Sequence, residues 1–220
     1  MRRYKIVILA IITVLISRGC KDSPVNVQDT NPVFIANVVD SHNNPLADVG
    51  FHYIFYFGRN IASREYLIDY QLQSADSIAI KLSDSFGNVV GSISKEYQLA
   101  GHHSIRFYAS FFSNGIYYCT ISGTTINERQ KFFVRTDNVT ELIQTFPLAK
   151  TNANGILEIP YSVFGIGDHL TFQSDSTQVQ LIVNDSIRVV LFKPGYQFFV
   201  KDIKLDTTRT FQATFQLQSN

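Results

Sequence analysis

Short runs of alternating apolar and polar residues recur along this chain, each closed by a cluster of turn formers. Ile78, Ile80 and Leu82 alternate with polar neighbours, and so do Ile105 and Phe107. That period of two belongs to half-buried strands, not helices. Between the runs stand Asn43-Asn44-Pro45, Asp84-Ser85-Phe86-Gly87-Asn88 and Ser113-Asn114-Gly115, the residue types that tight turns require. Many short strands at this spacing predict an all-β fold of the sandwich type. Composition agrees. Apolar residues make up 45% of the 220, enough to fill a core, and the 13% aromatic content is all Phe and Tyr.

Residues 33–40 (VFIANVVD) and 49–57 (VGFHYIFYF) read as strands. In the second, Phe51, Tyr53, Phe55 and Phe57 share one face, and His52, Ile54 and Tyr56 the other. Both faces are mostly apolar, which predicts a strand covered on both sides. The sharper alternative is that Phe51, Tyr53, Phe55 and Phe57 form an aromatic binding surface for a partner.

The N-terminus has a different character. MRRYK is a basic segment, and Ile6–Ile16 is an apolar stretch of eleven residues. As a helix it spans roughly 17 Å, short of the ~30 Å hydrocarbon core of a bilayer, so it reads as an export signal and not a membrane span. It ends at Ser17-Arg18-Gly19-Cys20. Gly followed by Cys after such a stretch resembles a bacterial lipobox, although Arg18 departs from the usual small or apolar residue there. The resemblance implies a signal peptide over residues 1–19, lipidation of Cys20, and a polar tether over 20–31. The chain would then be an outer-membrane lipoprotein in the envelope of a Gram-negative bacterium, its membrane partner reached through the lipid. With Cys20 acylated, Cys119 has no disulfide partner and reads as a small buried thiol.

Two further resemblances concern the body of the chain. VVDSHNNPLADV resembles the opening of carboxypeptidase-regulatory-like (transthyretin-like) β-sandwiches, continued far downstream by TNANGILEIPY (Thr151–Tyr161) and LFKPGYQFFVKDIKL (Leu191–Leu205). Between these pieces, residues 64–135 resemble the immunoglobulin-like domain of flagellar hook-capping (FlgD-like) proteins and of type IX secretion sorting modules. The matching features come in order: Ile68–Leu72, Ile78/Ile80/Leu82, the Asp84–Asn88 turn, Gly101 to Phe107, Ser113–Tyr117 and Lys131–Val134. Together they imply two β-sandwich domains. A discontinuous outer one would comprise 32–60 plus 140–220, and an inserted immunoglobulin-like one 61–137.

Candidate chemistry is sparse. His102 and His103 are adjacent, so on a strand they point to opposite faces and cannot chelate one metal together. The resemblance places His103, Ile105 and Phe107 inward. No G-x-S-x-G elbow occurs, and Gly165-Ile166-Gly167 lacks the third glycine of a dinucleotide fingerprint. Centred on Gly155, a calcium loop would place Lys150 and Tyr161 where acids are needed. Removing the four basic residues before Cys20 leaves 15 basic against 18 acidic residues, a formal charge of −3 that argues against nucleic acid as a partner. The expectation is a non-catalytic lipoprotein with no cofactor and no metal, its sandwiches binding other envelope proteins or glycans. The alternatives are a type IX secretion cargo and an accessory module for surface polysaccharide processing.

Overall fold

Phe34, Phe51, Tyr53, Phe55, Phe164 and Phe215 converge into one aromatic core, with ring centroids 5.1–6.4 Å apart. The rings come from two sheets facing each other and, for Phe164, from the 3-10 turn Tyr161–Phe164, in a computed structural model that describes residues 31–57, 62–174 and 177–220. The expected signal peptide, Cys20 and all but the end of the tether lie outside the described residues.

The strands are β1 (Val33–Val39), β2 (Gly50–Phe55), β3 (Glu65–Leu72), β4 (Asp76–Ser83), β5 (Val89–Gln98), β6 (Gly101–Tyr108), β7 (Gly115–Ser122) and β8 (Asn127–Val134). After the single-turn helix α1 (Val139–Leu142) come β9 (Ala149–Lys150), β10 (Ile156–Pro160), β11 (His169–Ser174), β12 (Thr177–Ile182), β13 (Ser186–Phe192), β14 (Phe199–Lys204) and β15 (Phe211–Gln216). The chain is therefore all-β in character, as its period of two predicts.

Strand pairing segregates. One three-stranded sheet runs β10-β1-β15 and one four-stranded sheet runs β14-β13-β2-β9. The aromatic core lies between them, completed by Leu157, Ile159, Ile187, Val189 and Leu191. β1 is parallel to β15 and antiparallel to β10. A second pair of sheets, β3-β6 and β5-β4-β7-β8, encloses Ile68, Tyr70, Leu72, Ile78, Ile80, Leu82, Cys119 and Ile121. These are the alternating positions of the sequence, turned to one side by the pleat. Strands β11 and β12 form a separate hairpin. Residues 31–220 cluster as one compact unit, and Ile116 and Phe133, on β7 and β8, pack into the first core.

β2 is buried along its whole length. Phe51, Tyr53 and Phe55 enter the aromatic core, while Ile54 packs with Val190 and Leu142 beneath α1. The helix starts at Asn138, whose side chain accepts a hydrogen bond from Glu141 N.

Three connections share one geometry. In Asp40–Asn44, Asp84–Asn88 and Asn152–Ile156, the first side-chain Oδ1 accepts from the backbone N–H groups two and four residues on, at 2.8–3.0 Å. The fourth residue has positive φ each time: Asn43 at 64°, Gly87 at 87° and Gly155 at 71°. An Asx side chain at the first position and Gly or Asn at the fourth are what this turn needs.

Candidate functional site

Ser63 and Arg135 exchange both backbone hydrogen bonds, N to O, at 2.9 and 3.0 Å. From that bridge the chain enters β3 on one side and leaves β8 on the other, and the two strands part into different sheets. Between them opens a cleft of about 730 Å³, within the roughly 300–1,000 Å³ of ligand pockets. It is lined by Glu65, Leu67, Asp69, Gln130, Lys131, Phe132 and Phe172, with the buried side chains of Ile68 and Cys119 behind them.

The ladder parity fixes what the β3 wall presents. Ala109 N donates to Arg64 O at 2.8 Å, so the even-numbered residues of β3 exchange bonds with β6. The odd-numbered ones, Glu65, Leu67, Asp69 and Gln71, turn their amide groups to the outer edge, as Ser63 does toward Arg135, and the first three of them border the cleft. One of these groups has a partner from across the gap: Gln130 Nε2 donates to the Asp69 carbonyl at 2.6 Å.

The charges around the cleft are mostly matched. Arg106 Nη1 lies 2.6 Å from Glu65 Oε1, and Lys131 Nζ lies 2.9 Å from Asp168 Oδ2. Arg64 Nε approaches Glu141 Oε1 at 2.8 Å as an ion pair without an aligned N–H, while its Nη1 donates to the carbonyls of Ala109, Ser110 and Phe112. Asp69 has the loosest partner, the His102 imidazole at 3.8 Å. Burial pushes the Cys119 thiol up to about 11 and the Tyr66 phenol well above its usual range. Neighbouring Glu65 raises Arg106. All three shifts lead away from neutrality, the wrong direction for proton transfer or nucleophilic attack at pH 7.

Phe51, Tyr53, Phe55 and Phe57 do not form a surface. The first three are 0% exposed and Phe57 is 8% exposed, because the facing sheet and Phe133 pack onto them. The reading of this strand as covered on both sides describes their place, and a partner has no access to them. His103 faces inward with Ile105 and Phe107, stacks on Tyr70 at 5.4 Å, and its Nε2 lies 2.8 Å from the Leu99 carbonyl. His102 points outward. Cys119 is buried and free. Among the described residues, no three His, Cys, Asp or Glu side chains are grouped to hold a metal ion, and no helix is long and apolar enough to cross a membrane.

The aromatic rings that do face solvent went unmarked in the sequence. Among them Tyr97, Tyr108, Phe111 and Phe146 are 71%, 66%, 71% and 73% exposed, and Phe146 N donates to Phe111 O at 3.1 Å. Phe111 and Phe112 are adjacent, yet only Phe112 stacks on Tyr117. No local pattern distinguishes them. The cleft likewise has no sequence signature, since it arises where two strands distant in sequence diverge, Asp69 and Gln130 across it being 61 residues apart.

No family model, curated protein or solved structure matches the chain.

Proposed function

We propose that this protein is a non-catalytic lipoprotein of the Gram-negative cell envelope, anchored through Cys20, whose β-sandwich modules present a binding surface. The observation that carries the binding role is the cleft beside β3. It is a formed recess with open backbone groups, and its displaced acidities all lie away from neutrality. The leader supports the address: a basic segment, a short apolar stretch, then Gly19-Cys20. The segregated strand pairing supports residues 61–137 as an immunoglobulin-like module inserted into an outer sandwich of 32–60 plus 140–220. Tethering raises the local concentration of the binding surface at the membrane, so a weak contact suffices there.

Labelled fatty-acid incorporation in the native host tests the anchor. Label is expected in the wild type and absent from Cys20→Ala. Absence of label from both overturns the lipoprotein assignment.

A further inference from the structure

The sheet β3-β6 has two strands among the described residues, whereas the sheet it packs against has four. Two-stranded sheets are marginal in water, and a third strand with an apolar face makes them stable. Here the place for a third strand exists. The outer edge of β3 runs from Glu65 to Leu72, about 26 Å at ~3.3 Å per residue. The amide groups of Glu65, Leu67 and Asp69 on this edge face the cleft, and that of Gln71 continues the same edge beyond it. Phe132 and Phe172, both partly exposed, bring apolar rings to the cleft. Exposed edges are normally blunted by charged side chains, by proline, by bulges or by a covering element, and the charges on β3 are Glu65, already paired with Arg106, and Asp69. β3 has no proline, and its β6 ladder runs through eight pairs without a register shift. Its one cross-gap bond comes from the Gln130 side chain, an amide donating to the Asp69 carbonyl as the N–H of a neighbouring strand would.

We propose that the open edge of β3 binds an extended segment of a partner protein by strand addition. Backbone bonds to Glu65, Leu67, Asp69 and Gln71 give affinity. Alternate side chains of the segment enter the cleft beside Phe132 and Phe172, which select apolar residues there. Charge sets a second preference. Arg106 and Lys131 each have a carboxylate within 3 Å, while Asp69 has only the His102 ring at 3.8 Å, so the segment carries a lysine or arginine opposite Asp69. This assignment rests on the reading of the chain as a binding module. It is independent of the lipid, since an unlipidated chain still adds a strand and a lipidated one can fail to.

The test uses the full-length chain purified in detergent and a fluorescein-labelled octapeptide of alternating valine and threonine with one lysine. A peptide of the same composition with a central proline is the control. Fluorescence anisotropy is expected to show at least tenfold tighter binding of the uninterrupted peptide. Hydrogen exchange is expected to slow at the amides of Glu65, Leu67, Asp69 and Gln71. Asp69→Lys, a change at a half-exposed side chain outside the core, is expected to weaken the lysine peptide at least fivefold and to favour one with glutamate in its place. Equal binding of the two peptides, or protection confined to other strands, overturns the proposal. Protection of the same four amides by self-association, without peptide, also overturns it, because the occupant is then a second copy.

Discussion

The side chain of Arg135 is wholly buried, and its Nε donates to the Phe55 carbonyl at 2.8 Å. That bond joins the end of β8 to the end of β2, where the two groups of sheets meet. The rest of the guanidinium forms a fork on Asp137, Nη1 to Oδ2 at 3.0 Å and Nη2 to Oδ1 at 2.6 Å, with the Phe57 ring 5.8 Å away. A buried cation with this many partners leaves large penalties when it is cut back. Arg135→Ala should therefore cost about 3–5 kcal/mol, since the Phe55 carbonyl and Asp137 both lose their donor. Arg135→Lys should recover only part of this, because an ammonium cannot hold a carboxylate fork and a carbonyl in one plane. Asp137→Asn should cost less, about 1–3 kcal/mol, because the buried guanidinium loses its counter-charge but keeps the Phe55 bond and an amide oxygen to donate to. Urea unfolding of the three variants gives the order. A cost for Arg135→Ala no larger than for Asp137→Asn would show that the Phe55 bond contributes nothing.

The three equivalent turns separate two contributions of glycine. Gly87 has φ of 87° and open space around the position of a Cβ, so Gly87→Ala meets only the left-handed backbone penalty, about 1–2 kcal/mol. Asn43 occupies the same place in the first turn at φ 64°, which predicts that Gly87→Asn is nearly neutral. Gly155 differs. A Cβ there would stand 2.5 Å from the Val38 carbonyl oxygen and 3.0 Å from Leu46 N, both backbone atoms that bond to each other. Gly155→Ala should cost about 3 kcal/mol or more, and Gly155→Asn should not rescue it. Thermal melts of the four variants suffice. Similar losses for Gly87→Ala and Gly155→Ala would mean that the end of β1 at Val38 and the loop at Leu46 yield freely.

These turns were the most legible part of the chain. Asp40, Asp84 and Asn152, each with Gly or Asn three residues on, mark their places directly, and the inward set Ile78, Ile80 and Leu82 follows from a period of two. The all-β character and the double-sided burial of β2 follow from the same signals. Partner choice does not. Phe34 lies beside Phe211, and Val49 N bonds Thr151 Oγ1, across more than 100 residues, and no run names its distant neighbour. α1 has four residues, too few to show a helical period. Arg135 is invisible for another reason: an arginine beside an aspartate reads as surface, and only the meeting of β2 and β8 buries it. The cleft depends on the same divergence of β3 from β8, which the alternation of either strand leaves unstated.

Cys119 is 0% exposed, buried behind the residues that line the cleft. With its thiol held up to about 11 by burial, only roughly one molecule in three thousand carries the thiolate at pH 7.5. A chain with Cys20→Ala, which leaves one thiol to count, should resist an aromatic disulfide reagent for hours when native. It should react completely within minutes in 6 M guanidinium chloride. Cys119→Ser should lower stability by about 1–3 kcal/mol, because the hydroxyl enters an apolar core without a partner. Rapid stoichiometric labelling of the native chain would place the thiol in solvent contact and remove it from the core.

His52 gives the fold an acid-sensitive element. It sits on the face of β2 that also carries Ile54, is 1% exposed, and its Nδ1 has no hydrogen-bond partner among the described residues. Burial alone lowers its pKa to about 4 from 6.5. The folded state therefore holds the neutral imidazole. Above pH 6.5 neither state is protonated and nothing is lost. Between pH 6.5 and 4 the unfolded chain takes up a proton that the folded chain refuses, so stability falls with falling pH. Below about 4 both states are protonated and the loss is complete, at most about 3 kcal/mol. Asp40 and Asp76 are held low by hydrogen bonds from Asn44 and Thr125 respectively, and Asp202 and Asp206 by those from Arg188 and Thr208. They add their own losses toward the acid end, in wild type and variant alike. His52→Leu isolates the imidazole. Denaturant unfolding at pH 7.5, 6, 5 and 4.5 should show wild type losing about 2 kcal/mol more than His52→Leu across the series. Parallel profiles would mean that His52 reaches water in the folded state and titrates as it does in the unfolded chain.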